Sequence, residues 1–319
     1  MALISVVIPV FNRSASAERA AISALEQKGL GADKLEVILV DDGSSPPLAL
    51  PSLAGRVVVV RLNPNAGPAG ARNAGIRASR GDYVAFLDSD DVWLPQKLAR
   101  QLAELRGAGT DDGDLVVSAC GFYYPNRRSG RVEGRIPMRG VTALDFASGC
   151  WAAPGTTLVV PRGVFDRIGV LDESLRRLED YDWLLRFGLA GGRLEVARVM
   201  GAVIAPSGLA RSKIVAQNVQ RLEGKFGRTG SAALSGALSR RFRAYMALER
   251  GAASLSDAGK LEAAIWLSRS LLLKPRGTGA LLPFWEINAE VPVEVQDSFK
   301  ALASAGVETA ISIPSHVQQ

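Results

Sequence analysis

Gly81-Asp82-Tyr83-Val84-Ala85-Phe86-Leu87-Asp88-Ser89-Asp90-Asp91 is the stretch of this 319-residue sequence on which its fold turns. The short apolar run from Tyr83 to Leu87, bounded by Gly81 and by acidic residues, predicts a buried strand. It ends in three carboxylates, Asp88, Asp90 and Asp91. Alternation along an extended backbone sets Asp88 and Asp90 on one side. Two carboxylates aimed at one point repel unless a cation or donor groups lie between them. Mg2+ or Mn2+, held by one or two carboxylates and by substrate phosphates, tolerates such a pair. The plainer reading is a helix cap, with Asp88 or Asp90 starting a helix near Pro95. Placement at the carboxyl end of a buried strand, where open α/β sheets bind ligands, favours the ligand site.

Outward from this stretch, strands and helices alternate. Leu3 to Val10 predicts a first strand, too continuously apolar for a wet face. A helix over Ala15 to Gly29 follows, then strands over Leu35 to Val40 and Val57 to Leu62, and a helix from about Pro68 to Ser79. This spacing predicts an α/β fold, a mostly parallel sheet with helices on both faces. Right-handed crossovers then gather the carboxyl ends of the strands on one edge. That edge carries Phe11 after the first strand, Asp41 and Asp42 after the second, and Asp88, Asp90 and Asp91 after the fourth. An aromatic ring to stack on a base, a carboxylate for a base N–H or ribose hydroxyl, and a carboxylate for a metal together suit a nucleoside diphosphate. The glycine-rich run Asn65 to Gly75 adds a helix start facing an anion, with Arg72 as a pairing partner for the ligand or an acidic loop. Tight helix–sheet packing explains Gly67 and Gly70 equally well. No Gly-x-Gly-x-x-Gly follows the first strand and no Walker A lysine motif is present, which counts against dehydrogenase and P-loop readings.

Composition is that of a globular protein, 47% apolar and 22% charged. Cys120 and Cys150 lack metal-type spacing and form no disulfide framework, which points to a reducing compartment. The N-terminus runs straight into a strand and no apolar run approaches the ~20 residues of a membrane span, so the expectation is a cytoplasmic protein. Residues 206–285 hold thirteen Lys and Arg against four Asp and Glu, whereas the tail from Glu286 is acidic. A solvated helical face accounts for the basic bias; peripheral contact with the inner face of the membrane, or with an anionic acceptor, is the sharper alternative. Nucleic acid is not expected, since no recognition motif accompanies the charge.

Four motifs, Val6-Val7-Ile8-Pro9-Val10-Phe11-Asn12, Val40-Asp41-Asp42-Gly43-Ser44, Ala71-Arg72-Asn73-Ala74-Gly75 and Phe86-Leu87-Asp88-Ser89-Asp90-Asp91, resemble family 2 glycosyltransferases over about residues 1–205. The resemblance implies a GT-A type fold and a nucleotide-sugar donor. It puts Pro9, Phe11, Asp41, Asp42, Arg72 and Asp88 on the nucleotide side. Asp88 and Asp90 become the Asp-x-Asp pair, with Asp90 the direct ligand of Mn2+ or Mg2+. Leu178-Glu179-Asp180-Tyr181-Asp182-Trp183 resembles the family's Glu-Asp motif, which makes Asp180 the general base for an inverting displacement and leaves Asp182 structural. On the residues alone, acidic side chains at a helix start are an adequate explanation. Glu179, Asp91 and Thr156 are candidates to touch the acceptor or support the catalytic carboxylates. Many relatives carry an Arg and a His after the strand matching Leu194 to Ile204; here Ala205 to Ser212 has no His, and Arg211 or Lys213 is left to serve the diphosphate.

A strand is expected from Asp114 to Tyr123, a hairpin from Tyr124 to Met138 turning at Asn126 to Gly130, and another strand over Gly155 to Arg162. The chain is thus read as a glycosyltransferase domain over 1–210, a helical region over 211–285 and an acidic tail over 286–319. Gly251, Ala263, Leu267, Ser270 and Pro275 match one tetratricopeptide-like hairpin, and Ile265, Trp266, Leu271, Leu272 and Leu273 read as core ahead of a membrane anchor. The only His, His316, is given no role. The expected function is inverting transfer of a sugar, from a UDP-sugar by preference, to a glycan or lipid-linked acceptor in polysaccharide or glycoconjugate synthesis. The rival is a degenerate nucleotide-binding scaffold of the same fold; a nucleotidyltransferase lacks its glycine-rich N-terminal signature here.

Overall fold

The structure is a computed structural model, and it describes residues 1–108, 114–125, 132–205, 211–227, 230–273 and 285–288. Residues 126–130, 206–210, Pro275 and the tail with His316 lie outside the described residues.

The elements run β1 (Leu3–Val10), α1 (Ser14–Leu25), β2 (Lys34–Asp41), β3 (Val58–Arg61), α2 (Gly67–Ala78), β4 (Tyr83–Phe86), β5 (Val92–Trp93), α3 (Lys97–Gly107), β6 (Val116–Pro125) and β7 (Val132–Pro137). There follow α4 (Ala143–Ala147), α5 (Pro154–Thr157), β8 (Val159–Pro161), α6 (Arg162–Ile168), α7 (Glu179–Leu189), β9 (Arg193–Val203), α8 (Ser212–Phe226), α9 (Gly236–Asp257), α10 (Lys260–Leu273) and β10 (Trp285–Asn288). The strand order is β10-β7-β6-β8-β4-β1-β2-β3. The half formed by β3, β2, β1 and β4 is parallel, as the alternation of elements requires. Beyond it, β8 lies antiparallel between β4 and β6, β7 is antiparallel to β6, and β9 is parallel to β6.

Helices cover both faces. On one, the alanine stripe of α1 (Ala17, Ala20, Ala21, Ala24) and Leu98, Leu102 and Leu105 of α3 pack on Ile4, Val6 and Ile8. On the other, α2 packs on Val7 through Ala71 and Ala74, beside Phe165 of α6 and Trp183, Leu184 and Phe187 of α7. Gly75 is required there, because a Cβ would lie 2.2 Å from Val7 Cγ1.

The opposite face of α7, with Tyr181 and Leu185, packs on Val215, Val219 and Leu222 of α8 and Phe242 and Tyr245 of α9. The C-terminal helices are therefore built onto a helix of the sheet domain. Helices α9 and α10 form a hairpin whose close approach is at Gly251, where a Cβ would meet Leu267 at 2.8 Å. The boundary expected between residues 285 and 286 falls inside β10, which extends the sheet against β7.

Two local expectations need correction. Gly155 to Arg162 is not one strand: Pro154 opens the short helix α5, and the strand is confined to Val159–Pro161. Ile265, Leu271 and Leu272 are exposed, because α10 buries only the face carrying Ala263 and Ser270. Among the described residues no helix is long and apolar enough to cross a membrane.

Candidate active site

The carboxyl ends of β1, β2 and β4 open onto a cavity of about 720 Å³, closed on its far side by α5, the start of α7 and one face of α9. Pro9 and Phe11 line it from β1 and its exit. Phe11 is 49% exposed, an aromatic ring left without core contacts at the cavity mouth. Asp42 lines the same end and is the cap of α2: its carboxylate accepts from the N–H of Ala66 (2.7 Å) and of Gly67 (2.9 Å) and from Asn65 Nδ2 (2.8 Å). Burial raises its pKa despite those donors.

Asp41 does not reach the cavity with its neighbour. Successive side chains at the end of β2 point to opposite sides, and Asp41 accepts from the N–H of Ser44 (2.8 Å) and of Leu48 (3.0 Å) and pairs with Arg61, its register partner on β3. These donors outweigh burial and lower its pKa. The sequence-based placement of Asp41 beside the nucleotide is corrected accordingly: its carboxylate shapes the loop that carries Asp42.

Arg72 is the centre of the site. From the second turn of α2 it is 7% exposed, donating through Nη2 to Asp88 Oδ1 at 2.6 Å and through Nη1 to Glu179 Oε1 at 2.7 Å. Burial works against its charge, but Asp88 and Glu179 together hold its pKa above the ordinary value. One guanidinium thus ties the acidic stretch after β4 to the start of α7, in a fork geometry that lysine cannot supply. Gly155 lets the chain pass: a Cβ there would lie 2.5 Å from Asp88 Oδ2.

Asp88 and Asp90 both line the cavity, and neither caps α3, whose Leu98 N–H is accepted by Gln27 Oε1 at 3.0 Å. Asp90 pairs with Arg13 from the β1 exit. Asp91 is buried, accepting from the Thr156 hydroxyl and from the N–H of Ala205 at 2.8 Å, while Thr156 Oγ1 accepts from the Asp88 N–H at 3.3 Å. Asp91 and Thr156 therefore brace the turn that presents Asp88 and Asp90. Burial, with Asp88 and Asp90 nearby, pushes the Asp91 carboxyl well above the usual range. As a metal site, Asp88 and Asp90 offer hard carboxylate oxygens suited to Mg2+ or Mn2+. Among the described residues no three acidic, His or Cys side chains converge to hold a metal. Both carboxylates are engaged by arginines, Asp88 by Arg72 and Asp90 by Arg13, so the pair would supply only part of a cation's ligand shell.

At the other end stands Asp180, in the first turn of α7 and half-buried. Its Oδ1 accepts from the Tyr181 N–H at 2.8 Å and its Oδ2 faces Cys150 Sγ at 3.6 Å. Asp182 turns away, fully buried between Arg186 (2.9 Å) and Lys225 (2.6 Å). Asn12, Ala153 and Leu178 are the non-glycine residues with positive φ among the described residues, at 54°, 49° and 66°. Ala153 and Leu178 line the cavity and Asn12 sits between two residues that do. Strain of this kind gathers where side chains must be held for function.

Several lining residues escaped sequence reading. Arg13, Arg176 and Arg177 bring cations to the cavity, whereas Arg211 and Lys213 are exposed and do not line it. Tyr245 and Glu249, one turn apart on α9, also reach it. Arg176 and Arg177 lie between the acidic Asp172-Glu173 and the Glu-Asp motif at 179–180, a local signal; nothing near Tyr245 and Glu249 in sequence marks them.

Residues 5–153 match the family described as Glycosyl transferase family 2. An uncharacterized glycosyltransferase of Rickettsia prowazekii (strain Madrid E) is 30% identical over 191 residues, 58% of each chain. Succinoglycan biosynthesis protein ExoO of Rhizobium meliloti (strain 1021) is 40% identical over 215 residues, 63% of this chain and 60% of that one. The chain thus spans about three-fifths of the length of these relatives. Among solved structures, S. aureus TarS 1-349 superposes with a TM-score of 0.55 over 99% of this chain and 91% of that one at 17% identity. Its complexes with UDP and with UDP-GlcNAc superpose equally, at 0.56. At this identity the likeness shows the fold, which is of the GT-A type.

Proposed function

We propose, from the premise that the N-terminal part of this chain, residues 5–153, belongs to glycosyl transferase family 2, that the protein moves a sugar from a nucleoside-diphosphate sugar to an acceptor hydroxyl with inversion at the anomeric carbon. The observation that carries the reading is one cavity lined at once by Phe11, Asp42, Asp88, Asp90 and Asp180. UDP is the preferred nucleotide, a choice supported by the UDP and UDP-GlcNAc complexes of the TarS fold relative. The succinoglycan relatives support a role in polysaccharide synthesis.

In this mechanism Phe11 stacks on the base at the cavity mouth. Asp42, with its own oxygens fixed by the start of α2, is preorganised to accept from the base or ribose. Asp88 and Asp90 would hold Mn2+ or Mg2+, which supplies charge stabilisation for the departing diphosphate. Arg176 adds a second positive charge on the nucleotide side, within reach of Asn65 Oδ1 at 3.0 Å. Asp180 takes the proton of the acceptor hydroxyl as its oxygen bonds to the anomeric carbon. The bond from that carbon to the phosphate oxygen breaks on the opposite face, and the diphosphate leaves with the electron pair.

Asp180→Asn tests this directly. Transfer should fall at least a thousandfold while UDP affinity stays within twofold; unchanged turnover, or lost UDP binding in a folded variant, removes Asp180 as the base. A second reading, a nucleotide-binding scaffold without activity, is favoured by the pairing of both Asp88 and Asp90 with arginines. UDP release from a UDP-sugar on adding an acceptor separates the two.

Peripheral membrane attachment is part of the same proposal. Helix α10 leaves Leu261, Ile265 and Leu272 exposed, and Lys260 and Arg269 lie on the same helix. Apolar side chains flanked by cations suit an anionic lipid surface. Co-flotation with phosphatidylglycerol vesicles, lost in a Leu261→Ser, Ile265→Ser variant, is the expected outcome; no flotation of the wild type removes the attachment.

A further inference from the structure

Beyond the residues assigned to nucleotide, metal and base, the cavity has an unclaimed end. It is formed by Arg177, just before α7, and by Tyr245 and Glu249 of α9, around Asp180 and Cys150. Apart from Cys150, these residues lie outside the family match, which stops at residue 153. Tyr245 is 4% exposed, its ring 4.6 Å from that of Tyr181 on α7, and Glu249 stands one turn further along α9. Glu249 stands on the cavity wall with Arg177 as its countercharge. It lines the same cavity as the proposed base Asp180; burial raises the Glu249 pKa against Arg177, and Asp180 raises it further.

We propose that Glu249 and Tyr245 form the acceptor subsite, and that it takes a neutral sugar bearing adjacent hydroxyls. The proposal rests on the glycosyltransferase reading and names the acceptor class for it. A carboxylate on the cavity wall beside a tyrosine hydroxyl offers acceptor sites to two neighbouring O–H groups. With those hydroxyls on Glu249, a third on the same ring is delivered to Asp180, which supplies the orientation that makes the attack effectively unimolecular. Charge selects against an anionic acceptor. Asp180 and Glu249 line this part of the cavity with Arg177 as their nearby cation, while Arg72 is shared between Asp88 and Glu179. A phosphate or uronate placed there meets two carboxylates in a partly desolvated site, where like-charge repulsion is strong. Acceptor choice is then written into a C-terminal helix, in a part of the chain that carries none of the motifs for donor binding.

The test uses the full chain with UDP and manganese, first titrated by calorimetry and then applied, UDP-saturated, to an array of neutral, uronate-bearing and phosphorylated oligosaccharides. The wild type should capture neutral glycans. Glu249→Ala should weaken that capture at least tenfold and Tyr245→Phe several-fold, with UDP affinity and melting temperature close to wild type. Capture of anionic glycans alone, capture of no glycan while UDP binds, or undiminished capture by Glu249→Ala each overturns the subsite. Failure of the wild type to bind UDP at all overturns instead the glycosyltransferase reading on which it rests.

Discussion

A methyl group at position 155 would stand 2.5 Å from Asp88 Oδ2 and 2.7 Å from Arg72 Nη2. The backbone of Gly155 is helical, so the restriction is one of space alone. Gly155→Ala should therefore disturb the Arg72–Asp88 pair at a stability cost of about 1–3 kcal/mol, typical of overpacking. Transfer should drop at least tenfold, read as initial rate beside a melting curve; wild-type activity in this variant would detach the pair from function. Residue by residue, legibility followed locality. Asp88 and Asp90 were legible as a pair following a buried strand. Strand β4 ends at Phe86, however, and a turn closed by the Asp91 N–H on the Asp88 carbonyl presents them, so alternation is not what brings them to one cavity. Asp41 and Asp42 are adjacent, so at most one faces the cavity, and the choice depended on Arg61, a residue of the next strand. Arg72 was legible as an ion-pair partner; that its two partners are Asp88 and Glu179, 107 residues from Arg72 in the second case, follows from the tertiary fold.

Among the elements, α3 carries an unusual charge. Lys97 is fully buried over the ring of Trp93, 4.0 Å from its centroid, and its Nζ has no hydrogen-bond partner among the described residues. Burial lowers its pKa from 10.5 to about 8. The folded state thus binds fewer protons than the unfolded chain between pH 8 and 10.5. The stability contributed by this group rises with pH through that window, by about 3 kcal/mol at most, since a tenfold change in proton activity is worth about 1.4 kcal/mol. Denaturant titrations from pH 7 to 10 should show this rise relative to Lys97→Met, which should also be the more stable at pH 7. A constant difference between the two proteins across the range would mean that Lys97 titrates alike in the folded and unfolded states. Elements were legible where periodicity was long, as in β1 and α7. Helix α5 was missed because a four-residue turn opened by Pro154 interrupts an otherwise apolar, β-branched run. The contribution of α9 was missed for another reason: Tyr245 and Glu249 sit on an ordinary amphipathic helix, and only its packing on Tyr181 aims them at the cavity.

For the whole molecule, function follows from how the two halves of the sheet are joined. The parallel half delivers the loops after β1, β2 and β4 to one edge, and the mixed half brings α5 and α7 against them. Helices α8 and α9 then cover the outer face of α7. The order of alternating elements made the first half legible. The second half joins β6 to β9 across about seventy residues, a pairing that no local pattern encodes. We propose that this joined cavity binds a nucleoside diphosphate through a divalent cation. Calorimetric titration of UDP, with and without manganese, into wild type and Asp90→Ala tests it most directly. Wild type should bind UDP with an affinity that weakens at least tenfold when manganese is withheld, and Asp90→Ala should respond little to manganese. Absence of UDP, GDP and TDP binding under either condition would contradict it.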